Sequence, residues 1–264
     1  MTIQAQIVPA GHGVGWLAQG FRLFRVAPLA WLLLVFSYWF LMTFVSVLPV
    51  IGIAAASILV PPFSVGFMAA SRAAEQGGPV SVGLLFEGFR KRVDVQLMLG
   101  GIYLLALVLL LAATAMADGG ALARWMLAGE APDPAVVRSG AFVLALMMAA
   151  GLYVPVMLGF WFAPVLAAWH AIGAPKALFF SLFACWLNWR AFLAYGLAAA
   201  VLTLVLPFVA LSAIALLVQD VGRASVMSLV FPFVIVLLPT LFASFYASYR
   251  DIFRAEAATP QTLH

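Results

Sequence analysis

Gly20-Phe21-Arg22 returns as Gly88-Phe89-Arg90, each time closing a short amphipathic run ahead of a long apolar one. A third, blurred version ends at Phe183 and is followed by Asn188, Trp189 and Arg190. Matches recur at the far end of the unit. Phe63-Ser64 leads to Ser71-Arg72, Phe162-Ala163 to Trp169-His170, and Phe242-Ala243 to Tyr249-Arg250. The chain therefore reads as three copies of one unit, about residues 13–72, 79–170 and 175–250. Each copy is expected to be an amphipathic interfacial helix followed by a membrane-spanning hairpin, as in parallel-repeat membrane proteins.

The composition supports a lipid environment. Of 264 residues, 66% are hydrophobic and 8% are charged, with a mean hydropathy of +1.16. Soluble domains carry about 25% charged residues, and a water-soluble fold of this length could not hide so much apolar surface. The apolar segments exceed the roughly 10-residue alternating strands of a barrel. Backbone groups in hydrocarbon must be satisfied internally, which leaves helices. The expected fold is an all-α polytopic membrane protein, a single membrane domain over residues 1–264. The net charge of +4 and pI near 9.6 are read as topology rather than nucleic-acid binding. With Cys185 alone there is no intramolecular disulfide. No cleavable signal peptide is expected, since residues 1–12 lack a charged leader.

Along the chain, Val14, Leu17, Phe21 and Phe24 fall on one helical face, with Gln19, Arg22 and Arg25 off it. Spans are expected at about 28–48, 53–70, 95–117, 140–169, 191–218 and 227–249. Pro49-Val50-Ile51-Gly52 reads as a tight turn, and Gly77-Gly78-Pro79 as a loop mirrored by Gly173-Ala174-Pro175. Val82, Leu85, Phe86 and Phe89 make the second amphipathic face. The third, about 176–189, carries Leu178, Phe179, Leu182, Phe183 and Trp186. Residues 118–139 read as the longest polar loop, with Trp125 and Met126 resting on the membrane surface. Kinks are expected at Pro61, Pro62, Pro155, Pro164, Pro207, Pro232 and Pro239, and the Pro61-Pro62 pair is expected to kink its helix or break it.

Charge sets the orientation. With a cytoplasmic N-terminus and six spans, the inside holds Arg22, Arg25, Arg72, Arg90, Lys91, Arg92, Lys176, Arg190, Arg250 and Arg254. The outside holds Arg124, Arg138 and Arg223. The asymmetry places both termini in the cytoplasm.

The expected span interiors contain no Asp, Glu, Lys or Arg, which argues against proton or sodium coupling through side chains. His12, His170 and His264 show no metal-ligand spacing, and no phosphate loop, dinucleotide fingerprint or nucleophile elbow is present. No catalytic residue, metal or cofactor is expected. The constellation with a positive reading is Arg22, Arg25, Arg72, Arg90, Lys91 and Arg92, among interfacial aromatics, where cations attract anionic headgroups. Cys185, on an interfacial helix, is read as a plain buried thiol in preference to an acylation site.

The run Gly15-Trp16-Leu17 through Gly20-Phe21-Arg22-Leu23-Phe24-Arg25, with Pro28-Leu29, Pro61-Pro62-Phe63-Ser64-Val65-Gly66 and the stretch from Pro79 to Arg90, resembles an uncharacterised six-helix family of proteobacterial inner-membrane proteins. More distantly, the triplicated hairpin is similar to the membrane domain fused to some bacterial glycerophosphodiester phosphodiesterases. The catalytic part of those enzymes has no counterpart here. The resemblance implies a bacterial inner membrane. The expected role is non-enzymatic: a membrane-organising or accessory subunit contacting membrane lipids, anionic ones in particular, or a protein partner or further copy of the chain. The alternative is a transporter or permease for an apolar or lipid-like molecule.

Overall fold

The computed structural model describes residues 4–48, 51–209, 212 and 223–253, with side chains from 233 onward in the last stretch. The described residues are mostly helical, with no strand among them. The helices are α1 (His12–Val26), α2 (Pro28–Ser46), α3 (Gly52–Glu75), α4 (Glu87–Arg90), α5 (Val93–Asp118), α6 (Ala121–Ala128), α7 (Pro134–Arg138), α8 (Ala141–His170), α9 (Ala174–Leu187), α10 (Trp189–Ala200) and α11 (Arg223–Ile252). Among the described residues, six segments are long and apolar enough to cross a membrane: Pro28–Ser46, Gly52–Glu75, Val93–Asp118, Ala141–His170, Trp189–Val209 and Phe233–Ile252. The expected turn at Pro49-Val50, the fifth span's far end to Val218, the loop from Gln219, Arg254, His264 and the Pro232 side chain lie outside the described residues.

Contacts divide the chain into two compact units. The first comprises Met1–Leu41, Phe63–Glu87 and Phe183–His264, the second Met42–Pro62 and Gly88–Leu182. In the first unit, Pro28 occupies the opening position of α2, where its missing N–H costs nothing. The Trp31 indole reaches back to the Leu23 carbonyl at 3.1 Å and fixes the α1–α2 corner. Tyr38 meets the rings of Phe63, Phe67 and Phe242 edge-on, and Phe67 stacks on Phe242 with centroids 3.9 Å apart.

Helix α1 buries a different face from the expected one. Gly13, Trp16, Leu17, Gly20 and Phe24 face inward, whereas Val14 and Phe21 are exposed. Two glycines explain the rotation. A Cβ on Gly13 would overlap the Ala191 carbonyl oxygen, and one on Gly20 would overlap the Thr240 carbonyl oxygen and lie 2.8 Å from the Ser244 nitrogen. Helix α1 thus crosses α10 at one end and α11 at the other, backbone against backbone. Helix α9 behaves alike: Ala174, Ala177, Ser181, Ala184 and Cys185 are buried, while Phe179, Phe183 and Trp186 face outward.

The second amphipathic segment departs from expectation. It is a 3-10 turn over Val82–Phe86 followed by the single turn of α4. Leu85 is buried, and a Cβ on Gly88 would overlap the Pro62 carbonyl oxygen. Side-chain spacing alone cannot separate a short α-helix from this tighter winding.

Of the two outcomes expected at the Pro61-Pro62 pair, a break does not occur. Helix α3 runs on past Ser71-Arg72 to Glu75. Pro62 lacks the N–H that would satisfy the Ile58 carbonyl. Gly100 of α5 instead brings its backbone against that oxygen. Helix α8, 30 residues and roughly 45 Å long at 1.5 Å per residue, also continues through Pro155 and Pro164. Its ladder opens ahead of Pro164. The Ser181 hydroxyl inserts there, accepting from the Phe162 N–H at 2.9 Å and donating to the Leu158 carbonyl at 2.8 Å. Buried Gln96 donates to the Pro164 carbonyl at 2.8 Å. In the span that continues α10 to Val209, the turn before Pro207 widens into a π-helix over Val201–Val205, with the Leu206 N–H bonded to the Val201 carbonyl. The extra residue per turn makes room for the proline ring.

Residues 118–139 are more ordered than a polar loop. Asp118 accepts from the Gly120 and Leu122 N–H groups and turns the chain into α6. Asp133 caps α7 through the Ala135 N–H, with Pro134 at its first position. Ala121 and Leu122 then pack on Phe142 and Ala145 of α8. Trp125 and Met126 remain exposed.

Candidate functional site

The polar groups of the first unit gather along α1 from His12 to Arg22, where α3 and α11 end. The segment before α1 has no helix of its own, so its backbone needs other partners. The Asn188 side chain supplies them. It is buried at the junction of α9 and α10, accepts from the Val8 N–H at 2.8 Å, and donates to the Gln6 and Ala184 carbonyls at 3.0 and 2.9 Å. The Gln6 N–H donates to the Ile252 carbonyl at 2.9 Å. Asp251 is paired with His12 Nδ1 at 2.8 Å and accepts from the Trp16 indole N–H at 2.8 Å.

One turn away, Glu75 forms an ion pair with Arg250 and accepts from the Tyr246 hydroxyl at 2.6 Å. Arg250 also donates to the Gln19 side-chain oxygen. These groups, with Arg22, line a cleft of about 410 Å³. Each carboxylate is held by two donors of its own unit. That arrangement is a clamp between helices first, since hydrogen bonds to charged groups contribute about 1.5–3 kcal/mol each.

The basic constellation read from the sequence is distributed between the units. Arg22 and Arg25 are exposed on α1, and the Arg25 guanidinium lies 5.8 Å from the centre of the Phe21 ring. Arg72 is exposed near the end of α3, within electrostatic reach of Tyr246 and Tyr249. Arg90, Lys91 and Arg92 belong to the second unit and are exposed. Arg92 has a structural task there. It adopts the left-handed conformation (φ 52°) and donates to the carbonyl of Ala171, itself left-handed at φ 55°, at the end of α8. This guanidinium caps a helix C-terminus, where cations are favoured.

A second concavity of the first unit is apolar. A groove of about 770 Å³ lies under α1, between α10 and α11, with walls from Val14, Leu17, Ala18 and Phe21, from Ala198 to Leu206, and from Phe233 to Thr240. The Thr240 hydroxyl is turned to the Val236 carbonyl at 2.7 Å. No group of three or more His, Cys, Asp or Glu side chains able to hold a metal ion occurs among the described residues. Cys185 is fully buried.

Sequence reasoning missed Asn188, Gln96, Glu75, Gln19 and Asp251 as structural partners. The signal for Asn188 and Gln96 was their polarity inside or beside apolar runs. For Glu75 and Asp251 no local signal existed, because their partners lie far away in the chain.

No family profile matches the chain, and no solved structure matches it. One relative is a protein of Burkholderia thailandensis named a probable inner membrane protein. It is 41% identical over 253 residues, which cover 93% of this chain and 92% of the relative.

Proposed function

Because the chain belongs to the same family as that Burkholderia inner membrane protein, we propose that it is a non-enzymatic membrane-organising or accessory subunit that contacts anionic lipid on the cytoplasmic side. The observation that carries this reading is the outer face of α1. It presents Arg22 and Arg25 beside an exposed Phe21, while Gly13 and Gly20 of the opposite face meet α10 and α11 backbone to backbone. A surface helix with guanidinium groups and aromatic rings suits anionic headgroups, at ~1 kcal/mol per basic residue near the surface. On this reading α1, the Val82–Arg90 segment and α9 lie in the interface as the first elements of three repeated units. The places of Gly20, Gly88 and Ser181 support the triplication, each at a tight crossing with the second span of a hairpin: α11, α3 and α8 respectively. The likeness to phosphodiesterase membrane domains is taken as shared architecture, with no activity carried over.

Both termini are placed in the cytoplasm. A reporter enzyme active only outside the cytoplasm is expected to be silent when fused after Gly77 and active when fused after Glu130. The reverse pattern would invert the assignment.

The function is tested by isolating the protein with its native lipid and crosslinked partners for mass spectrometry. Anionic phospholipid enriched over the bulk membrane, alone or with a stoichiometric protein partner, is the expected result. A solute flux abolished by single substitutions in the spans, with lipid and partner retention intact, would replace this reading with transport.

A further inference from the structure

We propose that the apolar groove beneath α1 seats one acyl chain of an anionic glycerophospholipid, with Arg25 taking its phosphate. The inference deepens the lipid-contact reading above and rests on it.

Two of the residues that line the groove, Ala18 and Ala198, are small, and a larger side chain at either would take up part of its volume. Its volume of about 770 Å³ falls within the ~300–1,000 Å³ of small-molecule sites. The π-turn that continues α10 forms one wall and contributes Val201 and Leu202. Such turns are frequent at functional sites.

Charge complementarity identifies the occupant. On α1 the groove stripe runs Val14, Leu17, Ala18, Phe21, and one helical turn further stands Arg25. The Phe21 ring lines the groove and lies under the Arg25 guanidinium. The site is thus apolar along its length and cationic at the end of the stripe. A zwitterionic lipid would gain the same apolar contact but a smaller net attraction to the arginine. A free phosphate would leave the groove unfilled.

The test uses the whole protein in phosphatidylcholine vesicles containing a small fraction of phosphatidylglycerol with a photoactivatable diazirine on its acyl chain. Labelling is expected on peptides covering 198–206 and 233–237. Arg25→Gln, at an exposed position, should reduce it about fivefold, and Arg25→Lys should restore it. Ala198→Trp, which fills the groove, should abolish it with unchanged elution of the protein. Equal labelling by a phosphatidylcholine probe, or labelling untouched by Arg25→Gln, would overturn the assignment. Crosslinks between two copies through these peptides would overturn it in favour of a second copy. Anionic labelling confined to other peptides would overturn the groove alone, and no anionic preference anywhere would also overturn the wider lipid reading.

Discussion

Gly20→Val is expected to detach α1 from α11 and lower stability by about 3 kcal/mol, the upper end of overpacking penalties. The side chain has no route of escape. The atoms a Cβ would strike are the Thr240 carbonyl oxygen and the Ser244 nitrogen, both backbone. Moving them would disturb α11 near Pro239, where the ladder already lacks an N–H. Gly15 offers a control on the same helix, because a Cβ there meets nothing within 4 Å. Gly15→Ala should be neutral or stabilising by about 0.5–1 kcal/mol through helix propensity. Thermal unfolding of both variants in detergent decides the matter. Equal stability of Gly20→Val and wild type would mean that α1 does not dock through this face.

The second large effect is expected at Asn188. Asn188→Leu removes three hydrogen bonds of a buried amide and leaves the Val8 N–H and Gln6 carbonyl without their partner. An abandoned buried polar group costs about 1–3 kcal/mol. Loss here is concentrated on the segment before α1, which has few other anchors, so it should take the form of local release. Hydrogen exchange at Val8 is expected to accelerate roughly a hundredfold, the equivalent of about 2.7 kcal/mol, with α2 and α5 unaffected. Asn188→Asp keeps the acceptor for Val8 and should retain part of the protection. Unchanged exchange at Val8 in the leucine variant would remove Asn188 from this role.

The spans were legible because length and apolarity alone define them, and their observed limits differ from the expected ones mainly at the ends. Helix α3 reaches Glu75 rather than Ala70, since a helix continues into polar sequence once its hydrogen bonds are running. The inward faces were harder. In water the larger apolar side chains mark the inside, but lipid tails are as apolar as a protein core, and small residues are what allow helices to approach. Phe179, Phe183 and Trp186 were conspicuous in the sequence, yet Ala177, Ser181 and Ala184 make the contact. The clamp at Glu75 and Asp251 was illegible for a different reason. Periodicity reports neighbours within a turn or two, and here the partners are separated by most of the chain.

That separation bears on the order of events during synthesis. Trp16 leaves the ribosome 235 residues before Asp251, the acceptor of its indole N–H. At ~5–20 residues per second, α1 must wait roughly 10–50 s for its last docking surface. Until α10 is made its glycine-lined face has no protein partner, and until α11 follows only the Gly13 end of that face can dock. Completion of the last helix then draws the first one in. A nascent chain halted before residue 240 should carry a leading helix docked on α10 alone, a species that quality-control proteases could distinguish from the finished protein.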